Sequence, residues 1–217
     1  MTQTSMNLFQ KLPIMVGNSF LYKGRLSDAL PLILKHHYTK RRPGDPMETL
    51  LLIDGEAVIA AATFTSPVNR YFGKGSIELS RLVRTPECEV PMSAFIAGCM
   101  KHLKSARNKE LKYCLSYADT TVGHHGGVYQ ASNFVFVSET KGSSMYVNSE
   151  TGQIISGRSF DQHASGNKDG WERMRSGKKL LYVYPLNERK NKLLARFNWK
   201  ELPYPKPFLR KGLDANS

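Results

Sequence analysis

A chain of 217 residues with 31 Lys and Arg against 18 Asp and Glu carries a formal charge of +13 and a pI near 9.7, which points to an anionic partner. Three cysteines, an odd number without CxxC spacing, argue against a disulfide framework and a structural zinc site. The longest apolar run, Val58–Phe64, falls far short of the ~20 residues that cross a bilayer, and the opening MTQTSMNLFQKLP lacks a signal-peptide pattern, so a cytoplasmic protein without a membrane partner is expected.

In chain order, GRLSDALPLILKHHYTK predicts a helix, with Ser27 as candidate N-cap, that tolerates Pro31 and ends at His36, His37 and Tyr38. RRPGDPM is a loop. ETLLLIDGEAVIAAATF predicts a hairpin about Asp54-Gly55-Glu56, because Asp-Gly favours a tight reversal. GSIELSRLVRTPE alternates imperfectly through Ile77, Leu79, Leu82 and Val83 and reads as a strand. PMSAFIAGCMKHLKSA has helical spacing with Pro91 at its first position. LKYCLSYAD is a strand, GGVYQASN a short helix or turn, and FVFVSET a strand. A Gly- and Ser-rich surface segment follows, and KKLLYVYPL closes the series as a last strand.

This order predicts one domain over residues 1–217: an α/β fold with a mixed central β-sheet flanked by helices on both faces. The order resembles the GNAT acyltransferase fold, in which the middle strands splay apart and the acyl donor lies in the gap. About residues 168–212 the chain is strongly basic, with nine net positive charges between Lys168 and Lys211. Trp171, Tyr182, Tyr184, Phe197, Trp199 and Tyr204 are interleaved with those charges. Cations that follow phosphates beside flat rings for bases suit a nucleic acid, although the rings taken alone fit a core better.

One stretch concentrates chemistry: LSYADTTVGHHGGVYQASNF, Leu115 to Phe134. It starts on a central strand and passes through a glycine-rich loop into the short helix. Asp119 stands where the strand stops and Tyr129 opens the helix, so an acid and a phenol share the mouth of the sheet. Asp119 is equally suited to capping a turn, Tyr129 to half-burial in the core, and His124 and His125 to plain accommodation in the loop.

With ELSRLVR, HHYTK, KKLLYVYPL and LPYPKP, that stretch resembles the Mom family of phage DNA-modification proteins, from about Leu26 to Pro207. The resemblance implies a GNAT-like transferase that converts adenine in double-stranded DNA to its N6-carbamoylmethyl derivative and so shields a phage genome from host restriction. It places functional roles on His37, Tyr38, Arg81, Asp119 and Tyr129, and it puts the protein in the host cytoplasm. Asp119 is the candidate base for the weakly nucleophilic adenine amine. Tyr129 is a candidate proton donor, and Arg81 a fixed cation for a donor or DNA phosphate. The segment RTPECEVPMSAF lacks the glycine-rich loop that would hold a coenzyme A pyrophosphate at a helix start. The donor is therefore open between acyl-CoA and a glycine-derived compound. Iron held by His37 and Asp119 is a minority alternative, no local metal-ligand motif is present, and a homodimer is left open. Two other readings compete: a GNAT-like acyltransferase acting on RNA, aminoacyl-tRNA or a small amine, and a non-catalytic nucleic-acid-binding protein.

Overall fold

The computed structural model describes residues 10–105, 109–142, 144–157, 160, 169–175 and 177–206. Its main sheet has eight strands, in spatial order β1 (Gln10–Val16), β2 (Ser19–Lys23), β3 (Pro46–Asp54), β4 (Ala57–Thr65), β5 (Ser76–Arg84), β6 (Tyr113–Asp119), β11 (Lys179–Pro185) and β7 (Val135–Thr140). Every neighbouring pair is antiparallel except β5–β6, which is parallel. The last strand in sequence is thus threaded between β6 and β7, two strands that precede it.

Helices cover both faces. On one, α1 (Leu26–His36) buries Ala29 and Ile33 against Leu51, Ala61 and Val83, and α4 (Lys190–Arg196) buries Leu193 against Leu115 and Val183. On the other, α2 (Met92–Leu103) and the single-turn α3 (Gly127–Gln130) pack on the largest core cluster, which includes Leu50, Leu52, Phe64, Phe95 and Tyr182. Alternation along β6 explains the division: Tyr113, Leu115 and Tyr117 face α4, and Cys114, Ser116 and Ala118 face α2.

Several expectations need correction. Helix α1 begins at Leu26, with Arg25 rather than Ser27 at the cap position, because the Asp28 carboxylate three residues on accepts the Arg25 N–H at 2.6 Å. Likewise Pro91 caps α2 from outside instead of opening it. The hairpin is as expected, with Gly55 at φ +56° in its turn.

The Gly- and Ser-rich segment is more than surface chain. It holds a separate antiparallel sheet, β10 (Trp171–Arg175), β8 (Ser144–Asn148) and β9 (Ile154–Ser156), with Tyr146 stacked on Phe160 at 3.7 Å. Also unanticipated were the β1–β2 hairpin and α4.

In the basic region the aromatics serve the core, as their composition alone favoured. Tyr182 is fully buried, Phe197 stacks on Trp199 at 4.3 Å, and Tyr204 donates its hydroxyl to the Phe134 carbonyl at 2.6 Å. Three of the region's cations are paired: Lys178 with Glu139, Lys190 with Glu201 and Arg196 with Glu188. Lys168, Arg210, Lys211 and the side chain of Arg175 lie outside the described residues. Among the described residues, no helix is long and apolar enough to cross a membrane.

Because Ile33 is fully buried in the cluster that seats α1 on the sheet, Ile33→Ala should cost about 2–5 kcal/mol of stability, read by urea denaturation.

Candidate functional site

The site begins where a ladder ends. β5 and β6 pair only at Ser76–Tyr113, Ile77–Cys114 and Glu78–Leu115, after which they diverge. Leu79 O, the carbonyl just past the last pair, accepts the Ser116 hydroxyl at 3.0 Å, so a side chain substitutes for the missing strand partner. Beyond it the facing edges of both strands enclose a cleft of about 540 Å³.

A bulge sets what faces the cleft. Phe64 pairs with Leu79 and Thr63 with Arg81, which leaves Ser80 as the extra residue on β5. Ser80 Oγ donates to Thr63 O at 3.0 Å and lies 3.1 Å from Thr63 Oγ1, pinning the irregularity. Strict alternation would have sent Arg81 to the α2 face with Ile77 and Leu79. The bulge reverses the phase, so Arg81 joins Glu78 and Val83 on the α1 face. This is the physical origin of the imperfect alternation in GSIELSRLVRTPE.

At the end of α1, His37 and Tyr38 line the cleft, and so does Tyr129 from α3. His37 is buried; its Nδ1 accepts the Thr39 N–H at 3.2 Å, which in the neutral ring puts the proton on Nε2. Burial, then the nearby Arg81 charge and His124, pull its pKa down to about 3. Burial pushes the Tyr38 phenol up to about 12, the Asp119 carboxylate adding to the effect and Arg81 opposing it. Tyr129 packs between Phe134 and Tyr182, with ring centroids at 5.5 and 5.4 Å, and burial pushes it too to about 12 against an opposing hydrogen bond with Ser116. At neutral pH both phenols are proton donors.

Arg81 and Asp119 are not among the residues that line the cleft, but their charges reach the Tyr38 hydroxyl. Arg81 spends its Nε and Nη1 hydrogens on the Arg41 and Ser80 carbonyls, at 3.4 and 2.7 Å. Asp119 is buried and caps a turn of 3-10 helix (Thr120–Val122), its Oδ1 accepting the Thr121 N–H at 2.9 Å. The capping role anticipated as the plainer reading is therefore present, and it occupies one carboxylate oxygen.

Three further residues belong to this neighbourhood. His124 sets its ring edge-on to Tyr38 at 5.4 Å, and burial lowers its pKa. Tyr117 lines the cleft from β6. Glu78 sits at the last paired position, its carboxyl raised by burial against the opposing charges of Lys179 and Arg81. For Glu78 the available signal was its place in ELSRLVR, two strand positions before the bulge.

A sequence model of the Mom protein family matches residues 25–206. The chain belongs to the Mom protein family. No curated protein sequence matches it significantly. Solved structures similar to it include the ribosomal-protein-S18-alanine N-acetyltransferase from Escherichia coli, at 10% identity and a TM-score of 0.49, covering 79% of this chain and 96% of that one. Another is an N-acetyltransferase from Staphylococcus aureus Mu50, at 12% identity and a TM-score of 0.47, covering 78% and 99%. Within this Mom-family chain the mixed sheet, its splayed parallel pair and its two helical layers form the GNAT-like α/β architecture expected from the element order.

The cofactor that a GNAT-like fold implies can be tested against the β5–α2 connection. Residues 85–91 contain no glycine, carry exposed Glu87 and Glu89, and lead into a helix start where the Ala94 and Phe95 amides are taken by Pro91 O. Two carboxylates and no glycine-rich turn do not fit a pyrophosphate. Iron fares no better: among the described residues, no three His, Cys, Asp or Glu side chains gather as ligands.

The loop between Asp119 and Tyr129 is held from beneath. Tyr182 Oη donates to His125 O at 2.6 Å, and Gln130 Nε2 lies 3.2 Å from that carbonyl, 3.1 Å from Tyr182 Oη and 3.2 Å from Pro205 O. Gly126, at φ +83°, sits so close that a Cβ would come within 2.3 Å of the Tyr182 ring. Gly126→Ala should therefore destabilise by roughly 2–4 kcal/mol, from left-handed strain plus overpacking, measured by thermal and urea unfolding.

His37 yields a second expectation. Its folded pKa lies below the unfolded value of 6.5, so its contribution is complete above that value and is lost as pH falls, when the unfolded chain takes up a proton that the folded one refuses. From pH 7 to 5 the wild type should lose about 2 kcal/mol more than His37→Gln in parallel denaturation series.

Proposed function

We propose that this protein is a transferase that places a carbamoylmethyl group on the exocyclic amine of adenine in double-stranded DNA, protecting a phage genome from restriction. The observation that carries the reading is the family match over residues 25–206, which takes in HHYTK, ELSRLVR, the Leu115–Phe134 stretch and KKLLYVYPL. The geometry is compatible with it: a cleft at a strand divergence, two protonated phenols, one neutral imidazole and a fixed cation beside a buried carboxylate.

In this reading the flipped adenine enters the cleft and stacks against Tyr38, an exposed ring of the site. Asp119, set back from the cleft, takes up the hydrogen leaving the amine by way of the Tyr38 hydroxyl, the amine's lone pair being otherwise delocalised into the base, and Tyr129 donates to the departing group. The base edge is oriented by the neutral His37. Arg81, already anchored to two backbone carbonyls, contributes a stationary positive charge. Because the β5–α2 connection does not suit coenzyme A, the donor is of another chemical class, in keeping with a group that attaches through a CH2 carbon.

Exposed Lys40, Arg70 and Lys74 give duplex phosphates somewhere to bind. With five or more such contacts, log affinity should fall against log salt with a slope of about −4 or steeper. A slope near zero would remove DNA as the partner. Nucleosides digested from the DNA of expressing cells should contain a carbamoylmethyl-adenosine by mass spectrometry. Asp119→Asn and Tyr129→Phe should lower its yield by about 100-fold or more while the proteins stay folded. Unmodified DNA beside an abundant, folded wild type would move the assignment to RNA or small amines.

A further inference from the structure

The connection between β4 and β5, residues 66–75, places apolar side chains in water while its own backbone is rigidly held. Val68 is 81% exposed and Tyr71 59%, the first of these the highest value among the exposed large hydrophobics. Two apolar side chains set side by side on an outward-facing tip are available to a partner.

The loop is braced at several points. Asn69 Oδ1 accepts the Tyr71 N–H at 3.0 Å and caps a turn of 3-10 helix (Arg70–Phe72). Phe72 is buried, and its carbonyl accepts the Tyr113 hydroxyl at 2.6 Å. Ser76 Oγ donates to Gly73 O at 2.7 Å. Tyr71 leans on Phe197 with centroids 5.3 Å apart. A preorganised tip loses little entropy on binding.

Placement ties it to the cleft. The loop leads directly into β5, whose Ser76–Glu78 are the last residues paired with β6 before the strands diverge. Charge defines the partner: exposed Arg70 and Lys74 flank the apolar residues, and no acidic residue occurs between Glu56 and Glu78.

We infer that this loop is a wedge for duplex nucleic acid: Val68 enters the base stack beside the extruded nucleotide, and Arg70 and Lys74 hold the flanking phosphates. The inference rests on the DNA reading above. It follows a general economy in which an inserted apolar side chain replaces part of the stacking lost when a base leaves the helix.

The test uses fluorescently labelled duplexes carrying 2-aminopurine opposite thymine in every nearest-neighbour context. 2-Aminopurine brightens when it unstacks, and no group donor is needed. Wild-type protein should bind and raise the emission several-fold in at least one context. Val68→Asp, which alters a side chain with almost no packing and sets a carboxylate against phosphates, should lose both the emission rise and about tenfold or more in affinity. Val68→Met should retain both. Arg70→Ala should lower the log-log salt slope by about one. Melting curves equal to wild type establish that each variant folds. Wild-type emission and affinity in Val68→Asp would overturn the wedge, as would tight wild-type binding without brightening in any context, and both leave the DNA reading standing. Absence of duplex binding by the wild type would instead remove the DNA reading itself, and the wedge with it.

Discussion

The interruption of the β5–β6 ladder is the constraint on which the rest depends. Three residue pairs hold the strands together, and the Ser116 hydroxyl then closes the last orphaned carbonyl at Leu79. Past that point each strand keeps its outer neighbour, β4 for one and β11 for the other, so the sheet opens without coming apart. Backbone groups on the facing edges are left for whatever occupies the gap. A one-residue bulge at Ser80 turns Arg81 toward the side from which α1 delivers His37 and Tyr38.

Burial then selects protonation states. His37 is held neutral well below neutral pH, and Tyr38 and Tyr129 hold their protons further into the alkaline range than a free phenol, each because burial penalises the charged form. Arg81 remains the fixed cation because guanidinium cannot lose its proton at accessible pH. Beneath the site, Tyr182 and Gln130 grip the His125 carbonyl, so the glycine-rich loop is shaped by side chains from β11 and α3 rather than by its own sequence.

Much of this was legible in the chain. Asp54-Gly55 marked the hairpin, the leucines of α1 marked a helix ending at His36, His37 and Tyr38, where the structure ends it at His36, and Ser-Tyr-Ala-Asp marked the end of β6. The candidate set His37, Tyr38, Arg81, Asp119 and Tyr129 came from motif resemblance and lies in one neighbourhood. Other features were hidden for physical reasons. The β8–β10 sheet is short-stranded and rich in polar residues, so its alternation is lost among glycines and serines. Interleaved aromatics looked like stacking platforms because spacing does not reveal direction. Ring contacts such as Phe197 on Trp199 turn them inward. Glu78 and His124 acquire significance only from their neighbours.

By itself the sequence determined the family, the α/β class, the positive charge and the candidate side chains, since these follow from local propensity, composition and motif. Tertiary structure alone decided where the ladder breaks, which face Arg81 takes, and that Asp119 and Arg81 are set back from the cleft lining. It also decided that the β5–α2 connection presents carboxylates where a pyrophosphate would need amides. The physical reason is that these properties depend on register and long-range packing. A one-residue bulge or a hydroxyl from a neighbouring strand changes them without altering any local pattern.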